Sequence, residues 1–294
     1  MVAKNISNRN GRALEYDIVT YLISESSSFK SVLTQQTKND LARDESNYLE
    51  LPESLRASYD KCAKIVHDWL LQFFNEKNIV IHKITDNEAK KGDVTDIPIS
   101  NDDRAINISV KHNHSAVKHQ RPPTTAKWCG FSKGSSEDVG FRMKYEAIIS
   151  DFLNRAKEEM PDAENFRDLK EIDDNYISEN LYKPVCALMV STINSLCKNI
   201  DNVINLFNFL VGSEKFFKII DFPDKVKILD FESVRMPEQV EASMKGESYI
   251  ILDFSNGFVL SMRLHTAASK MGKSLKFDTQ PMKLPEVEEI NIQK

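Results

Sequence analysis

The sequence predicts a mixed α/β fold in which a central β-sheet is flanked by helices, with a helical insertion. Three observations carry this prediction: helical periodicity in the first residues, a pair of alternating strands near residue 100, and a β-rich closing third. With 294 residues and 41% hydrophobic content, the chain is long enough to bury a large core. We expect one domain over 1–294, with a core of about 10–150 and 182–280 and an exposed connection over 161–181.

Helices and a strand are expected before residue 84. Apolar side chains recur at helical spacing in 11–25, and a longer apolar stripe that includes Trp69 predicts a helix over about 53–77. The stretch 34–50 is polar and leads into this second helix. The apolar run Ile79–Ile84 predicts the first strand.

Residues 96–111 predict a β-hairpin that puts a carboxylate and a lysine on neighbouring strands. Asp96 opens the first strand, 96–99, and the turn 101–104 has the Asn and Asp residues of a hairpin loop. Side chains alternate along the second strand, 105–111. Its polar face ends in Lys111 and is expected to point into a cleft. The apolar face is expected to enter the core and consists of Ile106, Ile108 and Val110.

The part of the chain after Pro122-Pro123 predicts a loop, several helices and a β-rich end. Residues 124–140 are rich in glycine and serine, so we expect a loop that closes over a ligand. The remaining predicted elements are helices over 141–160, 182–198 and 200–219, and strands over Val226–Phe231, Ser248–Phe254 and Phe258–Leu264. Asn256-Gly257 between the last two strands is a strong hairpin signal.

An aspartate and a lysine on adjacent strands suit metal-dependent cleavage of phosphodiesters. Mg²⁺ binds carboxylates and phosphate oxygens, and a lysine orients or deprotonates water and offsets charge on the phosphate. The spacing of Asp96 and Lys111 is also typical of a half-buried edge hairpin. The nuclease interpretation is favoured by a DNA-binding cluster that follows Lys111 closely, consisting of His112, Asn113, His114, Lys118, His119, Gln120 and Arg121.

A second basic and polar cluster lies near the end of the sequence. It comprises Arg263, His265, Ser269, Lys270, Lys273, Ser274 and Lys276. The predicted DNA contacts among them are Arg263, His265, Ser269 and Lys273. A solvated strand end has the same composition. Two such clusters in a chain of net charge −5 instead favour local surfaces for nucleic acid. Arginine and lysine bind phosphates, and arginine also reads guanine.

Composition argues against several other classes of protein. The four cysteines form no CxxC pair and no zinc-ligand spacing, so we expect buried free thiols at Cys62, Cys129, Cys186 and Cys197. The first residues lack the apolar segment of a secretory signal. No apolar run approaches the ~20 residues of a membrane span. We expect a cytoplasmic protein that binds no membrane.

Four blocks of the sequence together resemble the HaeIII family of type II restriction endonucleases. They are Asn10–Tyr16, Gly92–Ile97, the run from Ser109–His114 to Lys118–Arg121, and the run from Arg263–Ala267 to Ser274–Asp278. The blocks are spread over nearly the whole chain. The resemblance implies a PD-(D/E)xK nuclease core that uses Mg²⁺ to cut both strands of a short palindrome. Members of the family are associated with GGCC.

The resemblance implies that Asp96 binds the metal and that Lys111 is the catalytic lysine. Ser109 departs from the superfamily pattern, which has Asp or Glu two positions before the lysine, and serine is a poor Mg²⁺ ligand. Glu15 is favoured as the replacement, because it lies in a matching block and an N-terminal helix can abut the sheet. The other candidates for the missing carboxylate are Asp93 and Asp103.

The leading hypothesis is a Mg²⁺-dependent, sequence-specific endonuclease that cuts double-stranded DNA. Its expected catalytic residues are Asp96, Lys111 and Glu15, and its expected metal ligands are Asp96, Glu15 and Asp93. A palindromic target favours a homodimer, and a cognate methyltransferase acts on the same site without needing to bind this chain. Two alternatives stay open: a non-sequence-specific or repair nuclease of the same fold, and a catalytically decayed DNA-binding module.

Overall fold

The computed structural model describes residues 6–25, 30–74, 78–84, 94–113, 118–285 and 287–294. The chain divides into two compact units. Unit 1 comprises Met1–Ser115, Gly212–Val234 and Val287–Lys294, and unit 2 comprises Ala116–Val211 and Arg235–Glu286. The mixed α/β class, with a large mixed sheet flanked by helices, is confirmed. The single domain over 1–294 and the exposed connection over 161–181 stay predictions.

Unit 1 combines a mixed sheet with helices. Its helices within the described residues are α1 (Ile6–Ser24), α2 (Gln35–Leu49) and α3 (Glu53–Leu70). Its strands there are β1 (Lys30–Leu33), β2 (Asn78–Ile81), β3 (Ile97–Ser100), β4 (Ala105–His112), β6 (Phe217–Asp221), β7 (Lys225–Asp230) and β12 (Glu288–Gln293). The strand order is β1-β2-β3-β4-β6-β7-β12. The pairs β1–β2 and β4–β6 are parallel, and the other neighbours are antiparallel.

The predicted hairpin is present as β3 and β4. Ile97 lies opposite Ile108, and Ser100 lies opposite Ala105. The N–H of Asp96 continues this register by donating to the carbonyl of Ile108 at 2.8 Å. Asp96 is therefore placed beside the last residues of β4.

The core of unit 1 forms where α1 packs on the sheet. The helix contacts α2, α3 and β4, and its residues Leu14, Ile18 and Leu22 have no exposed surface. Ile106 and Ile108 on β4 are equally buried, as the alternation of this strand predicts. Each such side chain stabilises the fold by roughly 1.5–3 kcal/mol. This packing presents one face of α1 to the end of β4.

Unit 2 has an antiparallel sheet and its own helices. Within the described residues the helices are α4 (Thr125–Trp128), α5 (Ser136–Glu159), α6 (Phe166–Ile172), α7 (Lys183–Leu196) and α8 (Ile200–Val211). The strands are β5 (Lys118–Gln120), β8 (Val240–Lys245), β9 (Tyr249–Phe254), β10 (Val259–Thr266) and β11 (Leu275–Lys283), in the order β5-β11-β10-β9-β8. The Asn256-Gly257 hairpin is confirmed: Gly257 has φ 85°, which glycine adopts without steric cost.

Three segments differ from their sequence-based expectation. The expected loop over 124–140 is wrong, because this segment contains α4 and the start of α5 at Ser136. The expected helix over 200–219 is wrong in its second half, because α8 ends at Val211 and Gly212 takes φ 137° before β6 begins at Phe217. The polar stretch 34–50 contains α2. The Thr34 hydroxyl caps this helix by accepting from the N–H of Thr37 at 3.2 Å.

The cysteine prediction is confirmed, because Cys62, Cys129, Cys186 and Cys197 are all free and buried. Within the described ranges, no helix has the length and apolar character that crossing a membrane requires.

Candidate active site

Asp96 is held by three donors from β4. Its Oδ2 accepts from the N–H of Val110 at 2.6 Å, from the hydroxyl of Ser109 at 3.1 Å and from the ammonium of Lys111 at 3.0 Å. These contacts follow from the hairpin register, which aligns Asp96 with the end of β4. Ser109 therefore orients the aspartate from the position where the superfamily has an acid.

Lys111 bridges two oxygen atoms of the hairpin. Besides Oδ2 of Asp96, its ammonium donates to the carbonyl of Val110 at 2.9 Å. The side chains of Lys111 and Asp96 are 25% and 24% exposed, so both are accessible to a substrate. A carboxylate and a carbonyl are oxygen donors of the kind that Mg²⁺ binds, and a positive charge already lies against both.

Glu15 reaches this site from α1. Burial raises the pKa of Glu15 to about 7, the negative charge of Asp96 also raises it, and the positive charges of Lys83 and Lys111 oppose this rise. Glu15 therefore lies close enough to Asp96 and Lys111 for their charges to interact. Two carboxylates whose negative charges interact in a partly buried site favour a bound cation.

The other two candidates for the missing carboxylate do not join this group within the described residues. Asp103 lies in the turn before β4. Because an extended strand rises by about 3.3 Å per residue, the backbone of Asp103 lies about 25 Å from that of Lys111. Asp93, and also His114 of the predicted DNA-binding cluster, lie outside the described residues.

Sequence reasoning missed two residues that extend the site, Lys83 and Asp44. The ammonium of Lys83 lies 3.0 Å from Oε2 of Glu15 and donates to Oδ2 of Asp44. Asp44 is on α2, inside the stretch that was noted only as polar. The one available signal was a lysine within the apolar run Ile79–Ile84, where a charge requires a partner.

Lys218 is a third missed residue, on β6. It lies opposite Ser109 in the parallel pairing of β4 and β6, and it is 4% exposed. Burial and the positive charge of Lys111 together lower the pKa of Lys218 to about 7, and the negative charge of Asp96 opposes this. The sequence predicts a helix at Lys218, so nothing in the sequence connects this residue with the hairpin.

The oxygen donors present fit a hard divalent cation. Glu15 and Asp96 supply carboxylates, and Val110 supplies a carbonyl. The described residues contain no group of three or more His, Cys, Asp or Glu side chains arranged to hold a metal ion. Two carboxylates are nevertheless sufficient for Mg²⁺, which commonly completes its coordination with water and substrate phosphate.

His112 and Asn113 lie at the end of β4 and contact Asp221. Nδ1 of His112 lies 3.1 Å from Oδ2 of Asp221, and the histidine ring packs edge-on against Tyr59. The N–H of Asn113 donates to the carbonyl of Asp221 at 2.9 Å. His112 and Asn113 border a cavity of about 260 Å³. Side-chain alternation turns His112 away from the face of Lys111.

In unit 2, Asp278 joins the two predicted basic clusters. It lies opposite His119 of β5 and Arg263 of β10 in the sheet register. Its Oδ1 forms a hydrogen bond with Nδ1 of His119, and its Oδ2 lies 2.8 Å from Nε2 of His265. Partial burial raises the pKa of Asp278, but the hydrogen bond and the positive charges of His119, His265 and Lys276 outweigh this and lower it.

The remaining predicted DNA-binding residues of unit 2 divide into outward and inward groups. Arg121 donates to the hydroxyl of Ser274 at 2.7 Å, Lys273 pairs with Glu146, and Ser269 is exposed. In contrast, Lys118 donates to the carbonyl of Phe209 at 2.6 Å, and burial lowers the pKa of Lys118 to about 8. The buried Gln120 donates to Thr279.

Comparison with known proteins identifies relatives over most of the sequence. The family described as HaeIII restriction endonuclease matches residues 11–237. The type II restriction enzyme HaeIII of Haemophilus aegyptius is 24% identical over 325 aligned positions, which cover 96% of this chain and 96% of that protein. No solved structure matches the chain. The family match includes Glu15, Asp96 and Lys111.

Proposed function

Because the chain belongs to the HaeIII restriction endonuclease family, we propose that it makes Mg²⁺-dependent double-strand cuts in DNA at GGCC. It is a type II site-specific deoxyribonuclease, a class that generally requires a divalent metal. The observation that supports the proposed chemistry is the convergence of Glu15, Asp96 and Lys111 in unit 1. GGCC is the target that the family resemblance implies.

Glu15, Asp96 and the carbonyl of Val110 are the proposed ligands of Mg²⁺. The ion, when bound, supplies positive charge beside the scissile phosphate and makes water more acidic. Lys111 orients the attacking water and offsets charge that develops on the phosphate. In the hydrolysis, the water gives up a proton as its oxygen bonds to phosphorus, the bond to the leaving sugar oxygen breaks, and that oxygen takes up a proton. Ser109 and the N–H of Val110 keep Asp96 in position throughout.

DNA contacts are proposed for the outward side chains of unit 2. His119 lies on β5, Arg121 follows β5, and Arg263 and His265 lie on β10. His119 and His265 both contact Asp278 of β11, the strand between β5 and β10. Such side chains bind phosphates or base edges. Ser269, Lys273, His112 and Asn113 remain candidates. Lys118 and Gln120 are not among the proposed DNA contacts, because their polar ends form hydrogen bonds with groups inside unit 2.

Sequencing the ends of DNA cut by the purified protein tests specificity and cut position in one experiment. Cleavage only within GGCC, and none when a cognate methyltransferase has modified the site, is the expected result. Discrete products at another sequence would reject GGCC but keep the class of enzyme. Ends distributed over all sequences would reject site-specific cleavage.

Replacing the proposed catalytic lysine separates binding from chemistry. Lys111→Ala is expected to lower the cleavage rate by at least about 100-fold, because the water and the phosphate lose their nearest cation. Specific binding to a GGCC duplex in Ca²⁺ should persist. Lys64→Ala is the control, because it removes a lysine of the exposed Lys64–Asp68 pair on α3. Full cleavage by Lys111→Ala would remove Lys111 from the mechanism.

A further inference from the structure

A buried lysine lies behind the carboxylate of Glu15. The side chain of Lys83 is 3% exposed, which is rare for lysine. Its ammonium lies 3.0 Å from Oε2 of Glu15 and also donates to Oδ2 of Asp44. Its backbone N–H donates to the hydroxyl of Thr37 on α2 at 2.9 Å. Contacts at the backbone and at the tip of the side chain therefore fix the position of this ammonium.

Asp44 anchors the ammonium from the other side. Its side chain is fully buried, and Arg43 donates to both of its oxygens at 2.9 Å. The guanidinium of Arg12 lies 3.9 Å away. Because these arginines already balance the charge of Asp44, the positive charge of Lys83 remains available to Glu15. A buried ammonium shared between two carboxylates is stable only when both stay in place.

Lys83 makes its closest contact with Glu15 at Oε2. Within the described part of the chain, Oε1 accepts no hydrogen bond, and the side chain is 16% exposed. One oxygen is thus held by the protein while the other is available to a ligand. Metal-binding carboxylates are commonly oriented in this way by groups behind them.

We propose, on the basis of the nuclease function above, that Lys83 is a positioning residue for DNA cleavage. It holds Glu15, the carboxylate that the hairpin lacks, in the orientation that binds the divalent ion together with Asp96. Lys83 itself touches neither the DNA nor the attacking water. A lysine with a merely structural role would stabilise unit 1 without changing the response to metal, so metal dependence distinguishes the two roles.

Three variants test this role. Lys83→Met removes the ammonium, and Lys83→Arg retains a positive charge. Lys227→Met is the control, because it removes another lysine of unit 1, which pairs with Glu289 at 2.8 Å. The measurements are the Ca²⁺ concentration that half-saturates binding to a GGCC duplex and the cleavage rate at saturating Mg²⁺. We expect Lys83→Met to raise the Ca²⁺ concentration about 10-fold and to lower the rate about 10–100-fold. Lys83→Arg should retain most of the wild-type Ca²⁺ response and cleavage rate. Lys227→Met should match the wild type in both measurements.

A double variant tests whether Lys83 acts through Glu15. Adding Lys83→Met to Glu15→Gln should cause no further loss, because the carboxylate that Lys83 positions is already absent. Additive losses, or wild-type Ca²⁺ dependence in folded Lys83→Met, would overturn the proposal. If Lys83→Met does not fold, Lys83→Gln is measured by the same criteria, since its shorter and neutral side chain lacks the ammonium that holds Glu15.

The Lys111→Ala result separates this inference from the proposed function. Wild-type cleavage by Lys111→Ala would reject the proposed active site as a whole. Loss of cleavage in Lys111→Ala, together with an unaffected Lys83→Met, would reject the role of Lys83 alone.

Discussion

At the scale of single residues, local spacing predicted less than half of the candidate site. Asp96, Ser109 and Lys111 lie on one hairpin, so their proximity follows from strand alternation and a short turn. Glu15 needed the family resemblance in addition. Lys83 contacts Glu15 of α1 only through tertiary packing, and Lys218 joins the site through the parallel pairing of β4 with β6. No local pattern encodes such contacts.

Ser109 offers a direct test of the metal site by restoring the superfamily acid. Ser109 is 2% exposed and bonds to Asp96, so Ser109→Asp adds a buried negative charge beside another. In EDTA we expect the free energy of unfolding to fall by about 3 kcal/mol. Ca²⁺ should recover more stability in this variant than in the wild type, because the new carboxylate becomes a ligand. Denaturant unfolding with and without Ca²⁺ measures both effects.

Ser109→Ala is the matched control for this substitution. It loses one hydrogen bond, so a loss of about 1 kcal/mol that is the same in EDTA and in Ca²⁺ is expected. An equal Ca²⁺ response in Ser109→Asp, Ser109→Ala and the wild type would argue that position 109 does not adjoin a metal site.

At the scale of elements, strongly periodic segments were predicted well and ambiguous ones were not. In the hairpins β3–β4 and β9–β10, the alternation of apolar and polar side chains and the turn residues predict the same structure, and both hairpins are present. The run Phe216–Ile220 is apolar at every position but one, so it fits a helix or a buried strand equally well. The helix α2 is polar because its inner face carries Thr37, Asp40 and Asp44, which hydrogen-bond rather than pack.

Strand β5 allows neighbouring side chains to be compared for DNA binding. His119 faces outward and contacts Asp278, whereas Lys118 binds the carbonyl of Phe209 inside unit 2. We expect His119→Ala to weaken binding to a GGCC duplex about 10-fold, because a typical polar contact to DNA contributes roughly 1–3 kcal/mol. Lys118→Met should leave the affinity unchanged despite the loss of a charge. Fluorescence anisotropy titrations in Ca²⁺ measure both, and the reverse order would contradict the proposed outward surface.

At the scale of the whole molecule, charge is organised locally. The net charge of −5 does not attract DNA as a whole. The basic side chains of β5 are more than 140 positions away in sequence from those of β10 and β11, and the sheet of unit 2 joins them. The sequence predicted both clusters separately, but their union depends on strand order, which single-sequence patterns do not determine. The composition is therefore compatible with a DNA-binding protein, but it does not show where the DNA-binding surface lies.

The proposed palindromic target leads to a prediction about stoichiometry. A GGCC site has a twofold axis, and one chain that reads a half-site needs a symmetry-related copy to read and cut the other strand. We expect two chains on one short GGCC duplex in Ca²⁺, measured by analytical ultracentrifugation, and direct conversion of circular plasmid to linear DNA. A duplex of the same length without GGCC is the control and should not recruit two chains. One chain per GGCC duplex, with nicked circles accumulating before linear DNA appears, would instead indicate a monomer that cuts the two strands in separate events.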